Sequence, residues 1–274
     1  MGSLLQADFR RILKDKLLLV MGILAVVFAL ITPLLYVAIA YGIGDLGEEM
    51  ISSMFTGKAQ FFGSFSIGNN LGLIAPVLLA IALCKDFSFG TIRNKIIAGK
   101  SRSAIFLSLF ITCSVTLIAV MLLHAFMGLG VSLIFFDYQP TEFTVSDFWY
   151  FLESLAFSLL VLLCISALLS WLCASMKNVG LVIVLYIAIS FVLVMAGSII
   201  QVAMSVLQLM DGYENWVSVM EFLNRINIGN STLYIGTGTE YTLEDVLYLT
   251  LPTTTGILAF VGLGLWSFNK KDLK

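Results

Sequence analysis

Residues Lys85 to Arg102 read KDFSFGTIRNKIIAGKSR, and they stand between two long apolar runs. No residue from Ala59 to Cys84 carries a formal charge, and none does from Ser103 to Phe136 apart from titratable His124. A polar stretch between two such runs is a loop between membrane spans. Its five basic residues (Lys85, Arg93, Lys95, Lys100, Arg102) against one acid, Asp86, place it on the cytoplasmic side.

The bulk composition agrees. The chain has 274 residues, a mean hydropathy of +1.01, 59% hydrophobic and 12% charged residues. Soluble domains carry about 25% charged residues, so a soluble enzyme or nucleic-acid-binding module is excluded by class. Beyond residues 59–84 and 103–136, charge-free runs cover 17–44, 154–176, 178–210 and 246–269. Each is long enough to cross a bilayer, which needs about 20 apolar residues. The first is too long for the apolar region of a cleaved signal, about 7–15 residues, and reads as a retained span. Pro33, Pro76 and Pro252 lie in or near these runs and mark candidate kinks.

Six spans with the N-terminus inside put 13 of the 15 Lys and Arg residues on the cytoplasmic face. These lie in residues 1–16, in 85–102, in a tight turn at Lys177 and in the tail at Lys270, Lys271 and Lys274; only Lys58 and Arg225 fall outside. The fold expected is an all-α integral membrane protein, one domain over 1–274, with both termini cytoplasmic. Residues 3–16 place Leu4, Leu5, Phe9, Ile12 and Leu13 near one helical face, with Asp8, Arg11, Lys14 and Asp15 elsewhere, as in a helix lying in the inner interface. Residues 211–245 read as one or two short amphipathic outer helices, with Trp216, Val217, Met220 and Leu223 on one face, then a Gly-rich turn.

Ala98-Gly99-Lys100-Ser101 imitates the end of a phosphate-binding loop. Asn94 stands where that loop needs its first glycine, and no strand precedes it, so a nucleotide site in this chain is excluded. No Cys/His cluster has metal-ligand spacing, and the four cysteines, all within apolar runs, read as packing residues. No carboxylate pair or Ser/His/Asp set suits catalysis, so the chain is expected to be no enzyme and to hold no cofactor. His124, mid-run, is a candidate pathway residue; a neutral imidazole hydrogen-bonded to a neighbouring helix is the plainer reading. Gly68 and Gly72 form a GxxxG pair of the kind that packs helices.

Within the loop, Ile92, Ile96 and Ile97 share one side of a short helix while Arg93, Asn94, Lys95 and Lys100 point elsewhere. Such a helix can offer an apolar ridge to a groove on a soluble partner; anionic lipid would account for the basic residues alone. The pattern D-x-x-x-G-T-I-R-N-K-I-x-x-G-x-S-R, between the second and third spans, resembles the permease subunits of type-2 ABC exporters. It is most similar to the bacterial lantibiotic-immunity and peptide-export branch. The resemblance implies that residues 85–102 form a coupling helix that docks on a separate ATPase subunit, which binds ATP and magnesium. Asp86, Gly90, Thr91, Arg93, Gly99, Ser101 and Arg102 match its pattern, and Ile92, Lys95 and Ile96 join them as docking residues. Ser88 departs from it, since family members often carry a second acid there. The resemblance also implies a second permease subunit, identical or a paralogue, in the plasma membrane of a bacterium, and a hydrophobic or amphipathic peptide as cargo, moved outward for export or self-immunity. Drug, lipid or glycan export, or a sensor or anchor role, remain alternatives. A glycan path would show aromatic stripes along the spans, and Phe61, Phe62, Phe65, Phe106, Phe110 and Phe126 form no evident one.

Overall fold

A computed structural model describes residues 1–43, 56–135, 142–176, 178–210, 212–237 and 240–270, with the side chains of residues 40, 43, 88 and 231 left out of the description. The expected turn at Lys177, the tail lysines Lys271 and Lys274, and residues 238–239 of the Gly-rich turn lie outside the described residues. Among the described residues the structure is helical, without strands. The helices are α1 (Gly2–Lys14), α2 (Lys16–Ile43), α3 (Gly57–Gly63), α4 (Ile74–Ser88), α5 (Thr91–Ile97), α6 (Arg102–Phe135), α7 (Val145–Ser175), α8 (Val179–Leu207), α9 (Glu214–Ile226), α10 (Ile228–Ser231) and α11 (Leu243–Lys270).

Five of these, α2, α6, α7, α8 and α11, are long and apolar enough to cross a membrane. α6 and α7 pack together at the centre, α2 lies along α6, and α11 runs beside both. α8 closes the bundle against α4 and α7. Small hydroxylic residues let α6 sit this deep. Ser108, Thr112 and Thr116 recur every four residues on its buried face, and the two threonines donate back to carbonyls one turn earlier at 2.7 and 2.8 Å. Such residues satisfy themselves within the helix and let neighbours approach closely.

The run 59–84, long enough to cross a bilayer in one piece, is not one helix. It holds α3, a 3-10 turn at Ile67–Asn69, and then α4. The cause is local chemistry: Gly63, Ser64, Ser66, Gly68, Asn69, Asn70 and Gly72 crowd the middle of the run, and these are helix-poor residues. Asn70 ties the break together, its amide donating to the Ser64 carbonyl at 3.0 Å. The Gly68–Gly72 pair therefore sits in the break and joins no two helices. Pro76 falls in the first turn of α4, where its missing N–H costs nothing, so it marks no kink. Pro33 and Pro252 lie inside α2 and α11, which run on past them.

One end of the bundle carries an aromatic cluster that the sequence did not suggest. Phe61 and Phe65 meet Phe151, Phe61 meets Phe126, and Phe62 meets Tyr150, which stacks on Tyr241. Phe61, Phe62 and Phe65 are buried, so this is a packed core that joins α3 to α6 and α7 and not a stripe along a path. At the same end the two basic residues that break the charge bias are both used as ties. Lys58 pairs with Asp147 at the start of α7 at 2.5 Å. Arg225 on α9 pairs with Glu221 at 2.8 Å and reaches Asp245 at the start of α11 at 3.4 Å. Residues 211–245 contain the short helices α9 and α10, but the expected face divides: Trp216 and Leu223 are exposed, and the inward face is Val217, Met220 and Asn224.

Candidate functional site

The opposite end of the bundle gathers the charged loop. α1 docks beside it through Leu4, Asp8 and Ile12, which repeat every four residues and so share a face. Asp8 is thus on the buried side, contrary to the expectation that it points away. It is 1% exposed, and its carboxylate accepts from the Ser108 hydroxyl of α6 at 2.6 Å and from the Lys95 ammonium of α5 at 2.5 Å. A carboxylate can be held out of water only with partners of this kind.

Arg11, one turn from Asp8, pairs with Asp86, and Lys95 stands 3.8 Å from the other oxygen of that carboxylate. Next along, Asp15 accepts from Lys85 at 3.0 Å and from the Leu17 amide at 3.0 Å. Burial pushes the Asp15 carboxyl up, and the Leu17 amide and the Lys85 ammonium outweigh it, leaving the group below its ordinary range. Three acids and three bases alternate, and they stitch α1 to α4, α5 and α6. None of the α1 partners, Asp8, Arg11 or Asp15, stands out as a docking residue in the sequence. The signal that could have found them is the four-residue spacing of Leu4, Asp8 and Ile12.

Each predicted docking residue has a definite place. Gly90 adopts φ +71° and turns the chain by 50° between α4 and α5. Gly99 adopts φ +78° between α5 and α6. Both are backbone conformations that an L side chain resists. Ser101 caps α6, accepting from the Ala104 amide at 3.3 Å. Arg102 donates to the Phe268 and Asn269 carbonyls at 3.3 and 3.0 Å, so it holds the end of α11. Lys100 reaches the Ser3 hydroxyl at 3.3 Å. Thr91, first residue of α5, is half-buried.

The ridge of isoleucines is turned the other way from the expectation. Ile92 is 2% exposed and belongs to the core, and Ile96 packs against that core. With Lys95 held by Asp8, the inward face of α5 is spent on the protein itself. Asp86 is equally inaccessible, at 1% exposure. What α5 and its entry turn leave outside is Phe89, 78% exposed, Arg93, Asn94 and Ile97, 74% exposed. The physical reason is that a seven-residue helix lying on a bundle must bury one side. The face with two isoleucines is the one that gains from it.

His124 lies elsewhere, at the far part of α6. It is 6% exposed, and its Nδ1 has no hydrogen-bond partner, so the expected bond to a neighbouring helix is absent at that nitrogen. Among the described residues no group of three His, Cys, Asp or Glu side chains could hold a metal ion.

Residues 59–274 match the family model described as a protein of unknown function (DUF2705). No curated protein matches the chain.

Proposed function

The chain belongs to the DUF2705 family, and we propose that it is the membrane-spanning subunit of an ATP-driven exporter, driven through α5 by a separate ATPase. In this reading the chain crosses the membrane six times with both termini in the cytoplasm. α3, the 3-10 turn and α4 together make the second crossing, since α4 alone, at 15 residues, spans only about 22 Å of a hydrocarbon layer of about 30 Å. The ion pairs support that course. With the hydrogen bonds from Arg102 to the end of α11, they bring the start of α2, the end of α4, the start of α6 and the end of α11 to one end of the bundle.

One observation carries the reading: α5 is bolted on its inner side and leaves Phe89 and Ile97, two large apolar side chains, exposed beside Arg93 and Asn94 on its outer side. Ile92 in the core, Lys95 on Asp8 and Arg102 on α11 join the loop to three parts of the bundle. A push on Phe89 and Ile97 therefore moves α1, α6 and α11 together instead of bending a slack loop. ATP and magnesium belong to the partner, two membrane subunits form the path, and this chain performs no chemistry of its own. An amphipathic peptide is the cargo.

Coexpression with an ATPase subunit of this exporter class tests the proposal. The tagged chain should retain it, and Ile97→Asp should remove it without lowering the yield of the membrane subunit. Equal retention by the variant would contradict docking at this face.

A further inference from the structure

A cavity of about 320 Å³ opens between α2, α3 and α6, at the end of the bundle opposite α5. Its polar lining comes from Thr32 and Tyr36 of α2, Gln60 of α3, Ser64 and Asn69 beyond it, and His124 of α6. Glycines and alanines make up the rest, and they provide the room. None of the lining residues carries a formal charge.

The imidazole of His124 is nine-tenths buried, with Nδ1 unpartnered. A buried N–H without an acceptor costs about 1–3 kcal/mol, whereas a bare lone pair is the milder orphan. With the proton on Nε2, the ring can offer a donor to the cavity it lines. Gln60 and Asn69 each carry a carbonyl and an amino group side by side.

We propose that this cavity binds an uncharged amide, with His124 Nε2–H donating to its carbonyl oxygen and the Gln60 and Asn69 carboxamides matching the rest of the group. A charged ligand would find no counter-charge here, and desolvating it would go uncompensated. Thr32, Ser64 and Asn69 already donate to the carbonyls of Phe28, Gln60 and Gly63, but an apolar ligand would leave the Gln60 carboxamide and the His124 ring unmet. A small amide fits the volume, which is at the low end of the about 300–1,000 Å³ of ligand pockets. The inference goes beyond the exporter reading and stands without it.

The single histidine supplies the assay. In the purified full-length chain, diethyl pyrocarbonate modifies His124 at a rate followed by ultraviolet absorbance. N-acetylalanine amide at ten times its Kd should slow that rate about tenfold by simple occupancy, and zwitterionic alanine should not. Gly128→Val places its branches in the cavity, since a Cβ there meets nothing nearer than Ser64 Oγ at 3.7 Å. That variant should lose the protection. A wild-type rate unchanged by the capped amide, or equal protection by alanine, overturns the proposal. Either result leaves ATPase retention at α5 to be judged by its own experiment.

Discussion

Replacing Lys95 with Met should release α1 from the bundle. Lys95 is the charged partner of Asp8, at 2.5 Å, and Asp8 is 1% exposed. Without the ammonium, that carboxylate keeps the neutral Ser108 hydroxyl at 2.6 Å. Breaking a buried pair by removing one member costs about 3–5 kcal/mol. Lys95 retains some contact with solvent, its side chain being 11% exposed, so the lower end applies, about 3 kcal/mol. At about 1.4 kcal/mol per tenfold, local opening of α1 should rise about 100-fold. The assay is maleimide labelling of Ile12→Cys, a position 3% exposed, compared with and without Lys95→Met. Labelling tracks the open population when opening and closing are fast. Adding Asp8→Asn should restore slow labelling, because the stranded charge then disappears. A rate within about threefold of the parent, against the 100-fold that the buried pair implies, would refute the account of α1 as an anchored element.

Other outcomes follow from the same contacts. Gly264→Ala should lower the unfolding temperature of the solubilised protein, since a Cβ there runs into the Phe106 ring and overpacking costs about 1–3 kcal/mol. Arg102→Ala should raise labelling of Ser267→Cys, half-buried against Ser175, because the guanidinium holds that end of α11. Asp15 is below its ordinary range when folded, so its contribution is full above the unfolded carboxylate value of about 3.9 and is lost as pH falls through the folded value. The unfolding temperature of the solubilised protein should accordingly fall in strong acid, and Asp15→Asn should make it less acid-sensitive.

Much of the fold was legible because membrane constraints act on composition. Five long charge-free runs became helices able to span. Within the run 59–84 hydropathy alone shows no break, because it counts apolar residues and is blind to Gly63, Gly68, Asn69, Asn70 and Gly72, which interrupt the helix by turn chemistry. At the loop, Gly90, Gly99 and Ser101 carry backbone roles that spacing already hinted at. Orientation was not legible there. A seven-residue helix offers two plausible faces, and the choice between them was made by Asp8 and Ser108, which lie 87 and 13 residues from Lys95 in the chain. His124 and Gln60 were likewise separated in sequence, and only packing placed them around one cavity.

The central claim is that α5 hands force from an ATPase to the bundle, and a photo-crosslinking residue at position 97 tests it most directly. Ile97 is 74% exposed on the face that the bundle leaves free. The account predicts a crosslink in intact cells to a soluble subunit that carries a phosphate-binding loop, strengthened when ATP hydrolysis is blocked. A crosslink to lipid alone, or to a histidine kinase in place of an ATPase, would contradict it.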